Sequence, residues 1–152
     1  MYNRLSLMLF LFLLSVTNIY SQVKIKTHKT IRTDKRILRI LNQKEIKLIC
    51  LAGFMKILSK NFIKKFKGKI INIHPSLLPK YKGMNTFQRI LKNKDKISGC
   101  TVHYVNNKLD SGKIINRKTF EVSNNDTVKT LKKKTQRLEY RAFSEAIIKI
   151  NI

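Results

Sequence analysis

Asn72-Ile73-His74-Pro75-Ser76-Leu77-Leu78-Pro79, continued by Lys80-Tyr81-Lys82-Gly83 and answered downstream by Leu109-Asp110-Ser111-Gly112, is the stretch that decides how this chain folds. Asn72 and His74 stand two apart in a run that carries isoleucine at 70, 71 and 73. Strand side chains alternate between faces, so the amide and the imidazole point to the same side. Pro75 has no N–H to give to a ladder and stops the strand there. Both groups therefore fall at the strand's C-terminal end, the end at which open α/β sheets bind their ligands. A carboxylate at Asp110 joins them around one carbonyl, provided its loop folds back over the strand end. Taken alone, Asp110-Ser111-Gly112 also makes an ordinary turn.

Outward from this motif the pattern alternates between strands and helices. Val23 to Thr27 reads as a short strand, and Ile31 to Asn42 as a helix with Ile37, Leu38, Ile40 and Leu41 at helical spacing. Ile46 to Leu51 is a nearly continuous apolar run of the kind found in strands covered on both faces. Ser59 is placed to cap a helix from Asn61 to Phe66, and Gly68 marks its end. Lys69 to Ile73 is the motif strand, and a helix follows a long loop over Met84 to Asn93. Gly99 to Val105 and Lys113 to Glu121 are strands joined by the Asp110 turn, and Asp126 or Thr127 opens a long helix to about Lys149. This alternation defines an α/β fold with a mostly parallel sheet flanked by helices.

The chain has 152 residues, a size that suits one domain, and 43% of them are apolar. Cys50 and Cys100 sit inside apolar strand patterns, with neither metal-ligand spacing nor a disulfide framework, and read as core thiols in a reducing compartment. Histidines at 28, 74 and 103 also lack ligand spacing, so no metal is expected. The net charge of +25 points toward polyanions. The lysines are nevertheless spread throughout, with no patch or stacking motif, so no specific nucleic-acid partner is expected. Lys64-Lys65 and Lys132-Lys133-Lys134 read as solvated helix faces.

Residues 1–22 differ in character from the rest. Arg4 precedes an apolar run from Leu5 to Val16, too short to span a bilayer and close in length to a signal-peptide core, with a poor cleavage region after it. The division expected is a hydrophobic leader over 1–22 and one domain over 23–152, cytoplasmic and without a stable membrane span.

The motifs resemble the signature of the folate-dependent formyltransferase family. The resemblance begins near Ile46-Lys-Leu-Ile-Cys-Leu-Ala-Gly-Phe-Met-Lys-Ile-Leu-Ser59, passes through Asn72 to Gly83 and Gly99-Cys-Thr-Val-His-Tyr-Val105, and ends in the helix carrying Gln136 and Glu139. Several motifs in family order are far more specific than any one of them. The resemblance implies a Rossmann-like fold and transfer of a formyl group from 10-formyltetrahydrofolate to the amine of glycinamide ribonucleotide, in purine biosynthesis. It makes His74 the proton donor and oxyanion stabiliser, Asn72 its partner at the formyl oxygen, and Asp110 the carboxylate that supports His74 and relays protons. For the folate it implies Met55, Lys56, Ile57 and Leu58, then Asn106, Asn107, Lys108, Leu109 and Asp110, with Asn72 beside the formyl group. Gln136 and Glu139 fall where the family contacts the glycinamide substrate. Phe87 departs from the family, which often carries a histidine there. No glycine occurs in the first fifty residues, where the family's first strand runs into a phosphate-binding glycine loop. That strand–loop–helix unit is therefore expected to be missing.

Formyl transfer to an amine passes through a tetrahedral intermediate whose oxygen becomes negative. One preorganised donor at that oxygen is worth about 3 to 4 kcal/mol, which suits an amide and an imidazole on one strand face. A carboxylate beside the imidazole favours the imidazolium, the better donor. His103 shares a face with Thr101 and Val105, where a packing role and a role near the site are equally compatible with the pattern. Other members of the superfamily fit less well. Methionyl-tRNA formyltransferases continue the motif with Arg-Gly-Ala-Ala-Pro, where this chain has Lys82-Gly83-Met84-Asn85, and formyltetrahydrofolate deformylases carry an added N-terminal domain. A non-catalytic basic nucleic-acid-binding protein is the alternative from a different class.

Overall fold

The computed structural model describes residues 27–150, with side chains from residue 34 onward. The leader over 1–22 and residues 23–26 of the expected first strand lie outside the described residues; Thr27 itself begins a helix rather than ending a strand. Chain order is α1 (Thr27–Gln43), β1 (Leu48–Leu51), α2 (Lys60–Lys65), β2 (Lys69–His74), α3 (Thr86–Lys92), β3 (Ile97–Tyr104), β4 (Ile114–Glu121) and α4 (Val128–Ile150). The strands form one sheet in the order β1-β2-β3-β4.

The chain divides into two compact units, one ending at Ile71 and the other starting at Asn72. In the first, α1 buries Leu38 and Leu41 on one face, as their spacing requires, while Ile40 remains exposed. β1 begins two residues later than the apolar run, and Leu48, Ile49 and Cys50 are all buried. Ser59 caps α2 by accepting from the N–H of Phe62 at 3.0 Å, and its hydroxyl also donates to Asp34. The rings of Phe62 and Phe66 stack with centroids 6.4 Å apart. A Cβ at Gly68 would lie 2.5 Å from the Lys47 carbonyl, so only glycine permits this approach of the chain.

In the second unit β3 and β4 pair antiparallel, Ile97 opposite Glu121 through His103 opposite Ile114, with a bulge between Val102 and His103. The sheet is thus mixed rather than parallel throughout. The short connection over 105–113 explains this, because parallel neighbours need a crossover of a dozen or more residues. α4 buries Leu131, Thr135, Ala142, Ala146 and Ile150. Its first turn is held by Thr127, whose hydroxyl accepts from the Thr130 N–H at 3.3 Å, and by Asp126, which accepts from Thr130 Oγ1 and the Ser123 N–H at 2.8 Å each. Lys134 is not a solvated lysine like Lys132 and Lys133: its Nζ lies 2.6 Å from Asp126 Oδ2 and over the Phe120 ring.

Candidate active site

β2 ends as its sequence dictates. Asn72 is half-buried, Ile73 is buried in the core, and His74 closes the strand, buried, immediately before Pro75. The loop that follows is anchored to β3 by buried hydrogen bonds. Thr101 Oγ1 donates to the Ser76 carbonyl at 2.6 Å and accepts from the Leu78 N–H at 3.1 Å. Arg117 on β4 donates to the Leu78 carbonyl. The bend is completed by Ser76 Oγ donating to the Lys80 carbonyl at 2.6 Å and by left-handed backbone at Tyr81, Gly83 and Asn85. The Tyr81 hydroxyl donates to Asp95 at 2.8 Å, and the Arg89 guanidinium lies over the Tyr81 ring.

The loop between β3 and β4 folds back over the strand end, the condition on which a role for Asp110 depended. Asp110 Oδ2 lies 3.3 Å from His74 Nδ1, with the two side chains only 8% and 7% exposed. The same oxygen accepts from the Gly83 N–H at 2.8 Å, which ties the two loops together. A second brace is Lys82 Nζ donating to Ser111 Oγ at 2.6 Å. Asp110 itself has φ of 44°, in the left-handed region that aspartate and asparagine tolerate better than most residues.

His74 Nε2 lies 2.8 Å from the Tyr81 carbonyl, which can only accept. Each ring nitrogen of His74 therefore faces an acceptor oxygen, and only a doubly protonated ring donates to both. Asn72 Nδ2 lies 3.4 Å from His103 Nε2, and His103 Nε2 lies 3.7 Å from Asp110 Oδ1. His103 thus belongs to the cluster, a choice the strand pattern left open. Burial holds its pKa below the usual histidine value, against the opposing effects of the Tyr104 carbonyl and Asp110.

The remaining expected site residues are spread more widely. Asn106 spends its side chain on its own loop, Nδ2 donating to the Ser111 carbonyl at 3.1 Å and Oδ1 accepting from the Lys108 N–H at 2.9 Å. Asn107, Lys108 and Leu109 are exposed. In the first unit, Met55 and Ile57 lie in the loop after β1 at 76% and 80% exposure, with Lys56 exposed and Leu58 half-buried. On α4, Gln136 is exposed and Glu139 is half-buried, its carboxyl pushed up by burial against the pull of Lys132. Phe87 sits in the first turn of α3. The contacts from the Tyr81 carbonyl and the Gly83 N–H had no signal in the sequence, because backbone groups carry no residue identity.

Residues 16–147 match the formyl transferase family. The chain belongs to that family. It is 46% identical over 114 residues to the trifunctional purine biosynthetic protein adenosine-3 of Gallus gallus, which covers 75% of this chain and 11% of that protein. The human protein of the same name is 42% identical over 114 residues. Among solved structures, phosphoribosylglycinamide formyltransferase of Anaplasma phagocytophilum superposes with a TM-score of 0.71 at 40% identity, covering 74% of this chain and 55% of that one. The enzyme of the same name from Streptococcus pneumoniae TIGR4 gives 0.76 at 26% identity, covering 88% and 72%. The chain therefore spans about a tenth of the length of the curated relatives and about half to three-quarters of these two solved neighbours.

Proposed function

We propose that this chain transfers the formyl group of 10-formyltetrahydrofolate to the primary amine of glycinamide ribonucleotide. The observation that carries the reading is the buried contact of His74 with Asp110 beside Asn72, inside the segment that matches the family. The amine nitrogen attacks the formyl carbon, its lone pair forms the new C–N bond, and the carbonyl oxygen takes the negative charge. Asn72 Nδ2 and a ring N–H of His74 donate to that oxygen. Because both nitrogens of His74 are engaged, Nε2–H exchanges the Tyr81 carbonyl for the formyl oxygen as the ligand enters. Asp110 keeps the ring oriented through Nδ1 and accepts the proton that the attacking amine loses. Collapse re-forms the carbonyl and breaks the bond to the folate nitrogen, which takes up the bonding pair and the proton that Asp110 accepted from the amine.

Met55, Lys56, Ile57 and Leu58 are assigned to the folate, as are Asn106, Asn107, Lys108, Leu109 and Asp110; of these, Met55, Ile57 and Leu109 are exposed apolar side chains. Gln136 and Glu139 are assigned to the glycinamide substrate. The high positive charge favours capture of a phosphorylated nucleotide and an anionic folate. Domain limits of 1–22 for the leader and 23–152 for the catalytic domain complete this reading, as does a cytoplasmic location. No helix among the described residues is long and apolar enough to cross a membrane.

The test is steady-state formyl transfer by the full chain and by His74→Ala, with 10-formyltetrahydrofolate and glycinamide ribonucleotide. The reading requires turnover by the parent and its loss in a folded variant. Equal turnover by both proteins, or hydrolysis of the folate with no transfer to the amine, overturns it.

A further inference from the structure

His103 is 2% exposed and sits just past the bulge in β3. Its Nδ1 lies 2.8 Å from the Tyr104 carbonyl, an acceptor, so Nδ1 carries a hydrogen. Its Nε2 faces the Asn72 amide nitrogen at 3.4 Å, a donor, so Nε2 carries a lone pair. The two partners together define a single neutral tautomer. Three titratable groups face this ring: Asp110, His74 and Lys82. Asp110 Oδ1, at 3.7 Å from Nε2, gains a hydrogen bond only if Nε2 is protonated. Protonation would therefore turn the ring from holding Asn72 to competing with His74 for Asp110.

We propose that His103 is a positioning residue. Its neutral, Nδ1-protonated ring accepts from Asn72 and fixes which way that amide faces, leaving the second Nδ2 hydrogen for the substrate oxygen. An asparagine amide has two ends of nearly equal shape and opposite polarity, and a donor is useful at a developing oxyanion only when the nitrogen end is presented. Asn72 has no other hydrogen-bond partner among the described contacts that would set this choice. The catalytic consequence rests on the formyl-transfer reading; the tautomer and the amide orientation do not.

Two arms separate these claims. The first uses the full chain labelled with 15N-histidine and no substrate, followed by long-range proton–nitrogen spectra as a function of pH. The expected result is a His103 ring with Nδ1 protonated and Nε2 bare at neutral pH, remaining so below the usual histidine pKa of 6.5. An Nε2-protonated tautomer, or an imidazolium at neutral pH, overturns the proposal whatever the enzyme does. The second arm measures formyl transfer by His103→Phe and His103→Gln. Misplacing a reacting group by about 1 Å costs on the order of 100-fold, so kcat for His103→Phe should fall by that order with little change in KM. His103→Gln, whose side-chain carbonyl can accept from Asn72, should recover much of the loss. Full kcat in a folded His103→Phe protein defeats the positioning role, whereas absence of transfer in the parent defeats only the reading of the reaction.

Discussion

Asp110 Oδ2 stands between two donors from the other side of the site, the His74 imidazole at 3.3 Å and the Gly83 N–H at 2.8 Å. One carboxylate oxygen thus orients the ring and closes the loop around it. The orientation of the His74 ring and the path of the loop are consequently coupled, and a change at Asp110 is felt in both.

Asp110→Asn keeps the shape and the tolerance for a positive φ, but it removes the charge. Formyl transfer should fall at least about 100-fold, the scale on which one preorganised electrostatic group acts. The pH–rate profile should also change shape, because an amide cannot serve as the proposed proton relay. An unchanged profile would show that His74 works without Asp110.

Gly112→Ala tests the path of the loop that carries Asp110. An added Cβ would fall 1.6 Å from the Tyr104 carbonyl oxygen, which is backbone and has no room to retreat. The β3–β4 connection should shift and take Asp110 with it. We expect weaker folate binding and lost turnover in a protein whose circular dichroism is close to the parent's, both measurable by calorimetric titration and activity assay.

Leu131→Ala probes the packing of α4, since the leucine side chain is fully buried. Large-to-small changes at such sites cost about 2 to 5 kcal/mol. Urea unfolding should show a midpoint lowered accordingly with an unchanged slope.

The Asp126 carboxyl is held below its ordinary value first by the hydrogen bond from Lys134, then by those from Thr130 and Ser123. A depressed folded-state pKa contributes stability that is present above the unfolded value and is lost as pH falls through the folded one. Asp126→Asn should therefore melt below the parent at neutral pH. The two melting temperatures should converge once pH drops well under about 3.9. A constant gap across that range would mean that the charge contributes nothing.

Much of this protein was legible in its sequence because periodicity is a local property. The alternation of isoleucines around Asn72 and His74, the proline after them, the Ser59 cap and the apolar stripe of α4 each depend on neighbours a few residues away. Element ends were displaced by one or two residues at β1, α3 and β3, because the last turn or rung is the part of an element that a periodic pattern defines least. The identity of Asn72, His74 and Asp110 as a group came from motif order within a family, not from any spacing that forces them together.

What the sequence alone determined was which residues lie on which face, and that an amide and an imidazole share the end of one strand. Tertiary structure decided what those groups touch. The bulge between Val102 and His103 and the antiparallel return of β4 bring His103 to Asn72 and carry Asp110 back to His74, across 31 and 36 positions of sequence. Backbone atoms of Tyr81 and Gly83 then choose the ring and carboxylate partners. The physical reason is that hydrogen bonds are short-ranged and directional. Which donor meets which acceptor depends on the path of the whole chain, and a linear pattern holds no record of that path.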